Sequence, residues 1–160
     1  MNAASEQLLA IEEIKQLRYR YLRCMDAKDW DGLAELLLPD VEFFFGNPDE
    51  QFWPDTRERT PEGWVQVGRD ELVAWARAAA TGSTTVHHAH MPEITIVAPD
   101  RATGVWSMTD WTRLDADPSG TWYRGYGGYE DVYVHTAEGW RIRRSVFRRW
   151  SIDGFEDPAG

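Results

Sequence analysis

The chain has 160 residues, 42% hydrophobic and 28% charged, and a formal net charge of −10. This length suits one domain, read here over residues 1–160, with a core of its own. The acidic balance excludes nucleic acid as a partner, because phosphate contacts need a basic surface. No apolar run approaches the ~20 residues that cross a bilayer, so no membrane association is expected. The opening MNAASEQLLAIEEIKQ lacks the basic start and apolar centre of a signal peptide. A single cysteine, Cys24, cannot form an internal disulfide and fits a cytoplasmic protein.

Ser5 to Met25 reads as a helix. Ala10, Ile14, Leu17, Tyr21 and Cys24 recur at spacings of three and four, with Glu12, Lys15, Arg18 and Arg23 among the intervening charges. Asp29 is placed to cap a second, shorter helix whose apolar stripe is Trp30, Leu33, Ala34 and Leu37, closed by Pro39. Val41 to Phe45 reads as a buried strand. Residues 46–63, rich in proline, glycine and charge and containing Trp53, have loop composition and read as a lid or binding segment or as a disordered excursion. Val65 to Val67 is a short strand, and Asp70 caps a third helix with Leu72, Val73, Trp75 and Ala76 inward.

From Thr84 the pattern changes to long strands joined by tight turns. The first runs to Val97 and is broken near Pro92, whose missing donor points to an edge or a bulge. Ala102–Leu114, Thr121–Thr136 and Trp140–Ile152 follow, with Gly125, Gly127 and Gly128 marking a bend or bulge. The tail from Asp153 reads as loose. Helices first and an antiparallel meander after them imply an α+β fold, a curved antiparallel sheet wrapped around N-terminal helices into a cone-shaped barrel.

Three of the four histidines, His87, His88 and His90, lie on one strand. Imidazole exchanges protons near neutral pH, which makes this stretch the first candidate for chemistry. Alternation puts His87 and Ala89 on one face and His88 and His90 on the other. The same argument groups Trp106, Met108, Asp110 and Thr112 on the apolar face of the next strand, where an inward Asp110 needs a partner or a task. Asp26, just past the first helix, and Tyr21 could both reach a cone interior. An aspartate beside a histidine orients the ring and raises its basicity, and a tyrosine hydroxyl can donate to a developing enolate oxygen. His88, His90 and Glu93 also approximate a metal-binding spacing. The spacing is one short of the usual cupin pattern, so no metal is expected. The arginine-rich run Arg141–Arg149 reads as a solvated face or as partners of nearby acids.

Three stretches carry a family resemblance: IEEIKQLRYRYLRCMDAKDWDGLAELLLPDVEF, HHAHMPEITI with ATGVWSMTDW, and YEDVYVHTAEGWRIRRSVFRRW. Together they resemble SnoaL-like proteins of the nuclear transport factor 2-like superfamily over about residues 7–152. Within it the likeness is to bile-acid 7α-dehydratases, with scytalone dehydratase and hexachlorocyclohexane dehydrochlorinase as relatives. The dehydratase pattern K-x-K-Y-F-R-C-L-D is similar to RYRYLRCMD and implies roles for Tyr21 and Asp26. H-M-G-H-T-P-E-I resembles HHAHMPEI and implies His87 as catalytic histidine with His90 second. T-G-x-W-x-x-x-D matches TGVWSMTD and implies Asp110. The dehydrochlorinase pattern likewise implies an Asp26–His87 pair.

The resemblance implies a cofactor-independent lyase of dehydratase type acting on a hydrophobic cyclic substrate such as a steroid or polyketide. Trp106, Met108, His90 and Trp53 would contact that substrate. An isomerase of the ketosteroid type and a non-catalytic hydrophobic ligand-binding module are the alternatives. Relatives form dimers or trimers, so a homo-oligomer is expected.

Overall fold

The computed structural model describes residues 3–45, 59–60 and 63–155. Trp53 lies outside the described residues. The elements follow the order α1 (Ala3–Ala27), α2 (Trp30–Glu35), β1 (Leu37–Phe45), β2 (Arg59–Thr60), β3 (Gly63–Val67), α3 (Arg69–Ala80), β4 (Ser83–Ala98), β5 (Arg101–Leu114), β6 (Trp122–Thr136) and β7 (Gly139–Phe155). The strands form one sheet in the order β2-β3-β1-β7-β6-β5-β4. Strands β4 to β7 make the expected antiparallel meander, whereas β1 joins β7 in parallel, so the sheet is mixed. Among the described residues no helix is long and apolar enough to cross a membrane.

Several boundaries differ from the sequence reading for local reasons. Pro39 does not close α2; the chain is already extended at Leu37, whose register partner is Ile142. Within the expected loop 46–63, Arg59 and Thr60 pair with β3. Asp70 does not cap α3. The cap is Gly68, at φ +95°, and Asp70 stands in the first turn, where a negative charge suits the helix dipole. Asp153 to Phe155, read as loose tail, pair with Trp122 to Arg124 at the end of β7. Asp29 does cap α2, accepting from the Gly32 N–H at 3.0 Å.

The inner face of the sheet packs on α1 and α3. Ile14, Leu17, Tyr21 and Leu22 from α1 and Leu72 and Ala76 from α3 meet Phe43, Trp106, Met108, Tyr133 and Ile142. Arg18 belongs to this buried stripe and not to the exposed charges of α1: its side chain and that of Asp131 are both 0% exposed. Its Nη2 donates to Asp131 Oδ1 and to Ser145 Oγ, each at 3.3 Å. Tyr133 OH and Ser145 Oγ also donate to Asp131, and Trp106 Nε1 donates to Tyr133 OH. The guanidinium carbon lies 3.6 Å from the Tyr129 ring centroid and 4.8 Å from that of Tyr21. Aromatic faces thus take the place of water around a buried cation.

A pair this deep is costly to break, because either partner alone is an unsolvated charge. Arg18→Met is expected to lower unfolding stability by about 3–5 kcal/mol. The double variant Arg18→Met/Asp131→Asn should recover a large part of that loss, as read from urea denaturation midpoints.

Candidate active site

Between the helices and the sheet lies a cavity of about 330 Å³, a size within the range of small-molecule sites. Its helix side is apolar apart from Tyr21, with Leu22 and Met25 from α1 and Trp75, Ala76, Ala79 and Ala80 from α3. Phe43, Phe45, Tyr129 and Phe147 form an aromatic end. The polar groups, His87, Asp110, Thr112 and Arg149, come from the sheet.

Local structure at the end of α1 delivers Asp26. The helix stops in a Schellman turn: Asp29 N–H bonds Cys24 O at 2.9 Å, and Lys28 N–H bonds Met25 O at 3.3 Å. Lys28 takes the left-handed position at φ 60°. Asp26, one turn back from α2, then faces β4. That strand is the sheet edge, so its outward N–H groups need partners. Asp26 Oδ2 accepts the His87 backbone N–H at 2.9 Å, and Oδ1 accepts the Thr85 hydroxyl at 2.9 Å. His87 Nδ1 lies 2.6 Å from Asp26 Oδ1, and the two side chains are 15% and 25% exposed.

Burial opposes the Asp26 charge, but the hydrogen bond and charge of His87, its backbone N–H and Thr85 outweigh it and hold the carboxyl below its ordinary value. A carboxylate can only accept, so Nδ1 carries the hydrogen and Nε2 of the neutral ring keeps its lone pair. Burial also holds the Tyr21 phenol well above its ordinary value, against a smaller opposing effect of Arg18, so Tyr21 stays a neutral donor at the cavity wall. Tyr129 is raised to about 12 by burial.

Asp110 is the register partner of His87, directly across β4 and β5. It is met by Arg149, which the sequence reading did not single out. Nη2 donates to Asp110 Oδ2 at 3.0 Å and Nη1 to Oδ1, a bidentate pair with side chains 9% and 11% exposed. The two residues stand on β5 and β7, with β6 between them. Gly125, opposite Asp110 on β6, leaves that path open, since a Cβ there would collide with both Arg149 Nη1 and Asp110 Oδ1. A register shift beside Tyr126 and Gly127 changes the parity of β7, and so brings both Arg149 and Ile152 to the cavity. Of the other arginines of that run, Arg143 pairs with Asp40, Arg144 with Glu42 and Arg148 with Glu130.

Of the residues expected to contact substrate, Met108 lines the cavity. Trp106 does not: it faces inward as its parity requires but is 1% exposed, locked to Tyr133 in the core. His90 is on the outer face with His88, because even positions of β4 before the bulge point outward. Its Nε2 is 3.1 Å from Thr109 Oγ1, and His88 packs edge-on against Trp111. The bulge falls between His90 and Glu93, with Met91 at φ 43°. Among the described residues no group of three or more His, Cys, Asp or Glu is placed to hold a metal ion.

N-terminal helices before a curved mixed sheet are the NTF2-like fold. The chain belongs to the SnoaL-like domain family, whose model matches residues 6–146. It is similar to a Gibberella zeae protein named "Probable cyclase FGR4", 24% identical over 164 residues that cover 94% of this chain and 99% of that protein. The solved structure of a "Putative Scytalone Dehydratase" from Novosphingobium aromaticivorans matches with TM-score 0.78 at 19% identity, over 96% of this chain and 93% of the other. Hexachlorocyclohexane dehydrochlorinase LinA-type3 from Novosphingobium barchaimii LL02 matches with TM-score 0.77 at 12% identity, over 96% and 94%. These two likenesses carry the fold, which thus houses proteins named for dehydration, dehydrochlorination and cyclisation.

Two measurements follow from this geometry. A carboxyl depressed in the folded state adds stability that is complete above its unfolded value of about 3.9 and is lost as pH falls through the lower folded value. Asp26→Asn should therefore flatten the stability profile below about pH 4, as read by urea titration across pH. Gly125→Ala should part Arg149 from Asp110 and cost about 1–3 kcal/mol of unfolding stability, as for other overpacked sites.

Proposed function

We propose that the protein is a cofactor-independent lyase of the dehydratase type, acting on a hydrophobic cyclic molecule such as a steroid or polyketide. The observation that carries this reading is the Asp26–His87 contact at the wall of an apolar cavity. His87 Nε2 removes a proton from the carbon next to a carbonyl. The C–H electron pair moves into the carbonyl system as an enolate, then forms the carbon–carbon double bond as the β-hydroxyl leaves. The imidazolium returns its proton to that hydroxyl, so the products are alkene and water and the ring is again neutral.

Asp26 orients His87 and stabilises the imidazolium. Tyr21 donates to the enolate oxygen, a role suited to a phenol that burial keeps protonated. The Asp110–Arg149 pair, next to His87 on the sheet, binds the departing oxygen. The apolar helix side, with Ala76, Ala79 and Ala80 leaving room, suits the ring system. The names of the similar proteins support an elimination or a related proton-transfer reaction.

A positioned general base contributes roughly 10²–10⁴-fold. Against a panel of β-hydroxy ketones built on steroid and aromatic polyketide rings, His87→Ala should lose about that factor in kcat while its thermal midpoint stays near the parent's. Full turnover by the His87→Ala protein would place the base elsewhere and end this reading.

A further inference from the structure

We infer that Lys28 is a positioning residue for the Asp26–His87 pair, acting through the Thr85 hydroxyl; the inference rests on the reading of His87 as the base. Two independent observations carry it. The first is backbone geometry. Lys28 occupies the left-handed position of the Schellman turn, at φ 60°, where glycine is the ordinary residue and a side chain adds strain. A strained position held by a charged residue next to a candidate site asks what the side chain does there.

The second is the direction of the hydrogen bonds. Lys28 is half-buried, and its Nζ lies 3.2 Å from Thr85 Oγ1, which in turn lies 2.9 Å from Asp26 Oδ1. An ammonium can only donate. Thr85 Oγ1 must therefore accept from Lys28, and its own proton is directed to Asp26. The hydroxyl cannot turn round and compete for the carboxylate's other donors. Asp26 is left with one fixed set of partners, the Thr85 hydroxyl, the His87 N–H and the His87 ring, and the ring is held as the Nδ1–H tautomer.

The charges around the pair set the sign of the effect. Facing it are Lys28 and Asp26 at the end of α1, Asp115 after β5, and the Asp110–Arg149 pair from β5 and β7. Burial holds the Lys28 ammonium below its ordinary value, and the charges of Asp26 and Asp115 offset this only in part. A cation at this position disfavours a second positive charge on the ring. Removing it makes His87 easier to protonate, and the base is then blocked at a higher pH.

The test compares Lys28→Gly and Lys28→Met with the parent. Both lose the ammonium, and only the glycine variant relieves the left-handed strain. Protonation of the His87 ring is followed by ¹⁵N NMR, a readout that needs no substrate and stands even if His87→Ala turns out to retain turnover. In both variants the ring's proton affinity should rise about three- to tenfold, the size of one ordinary hydrogen-bond interaction. With a turned-over substrate, the acid limb of kcat/KM should move to higher pH by the same factor while the plateau stays near the parent's. Lys28→Gly should keep or raise the thermal midpoint, since glycine is unstrained there. An unmoved ring titration in both variants, or a change in one alone, would overturn the assignment. In that case Lys28 is a tolerated surface residue, or only its backbone matters.

Discussion

A single carboxylate at the end of α1 holds the helical layer to the edge of the sheet. Asp26 takes a backbone N–H, a hydroxyl and a ring nitrogen from residues within three positions of each other on β4. An edge strand offers such N–H groups to anything that comes, and here a helix end takes one of them. The contact fixes strand parity as well as position. With residue 87 turned in, 85 and 89 share its face and 88 and 90 are turned out, and a one-residue slip would invert all five. The bulge at Met91 and Pro92 comes after this row and resets the alternation without disturbing it.

Two buried ion pairs lie behind this contact and do different things. Arg18 and Asp131 have no exposure at all and are enclosed by aromatic rings, hydroxyls and an indole, so they act as part of the core. Asp110 and Arg149 are a little more open and lie on the cavity wall beside His87. The second pair exists only because β6 contributes no side chain at Gly125. A bidentate clamp across two strands needs a bare strand between its ends, and this is the reason for one of the three glycines in that strand. Gly127 and Gly128 answer a different need, close passage of the β7 and β5 backbones respectively.

The outline of the fold was legible in the sequence because it rests on period. Apolar spacing located α1, α2 and α3, and alternation located the four long strands and the inner face of β5. The acid at 26 and the histidine at 87 were found by chemistry and by family likeness, and parity separated His87 from its two neighbours. What escaped was long-range. Arg18 falls on the apolar stripe, four after Ile14 and three before Tyr21, yet a charge was read as solvent-facing because its partner Asp131 is 113 positions away. Arg149 was hidden in a basic run whose parity changes at a bulge. Thr85 and Lys28 carry no motif at all, and only the turn geometry brings them together. Pro39 and Asp70 misled for the opposite reason, since each matches a local signal that its surroundings overrule.

The cavity's asymmetry ties these points together. Apart from Tyr21 on α1, the helices present carbon to it, and the sheet presents His87, Asp110, Thr112 and Arg149, groups that can exchange a proton or bind an oxygen. A sheet can hold such groups at fixed spacing because neighbouring strands keep register, so His87 and Asp110 stay directly opposite each other whatever fills the space. A helix face of alanines sets only the depth. Under the proposed reading, the chemistry would therefore depend on strand register and on the one helix end that reaches it. Ring size would depend on α3, where exchanging one small side chain for a larger one alters volume without touching the polar row. A fold divided in this way can keep its proton-transfer groups while its apolar wall changes, which fits one architecture carrying proteins named for eliminations and for a cyclisation.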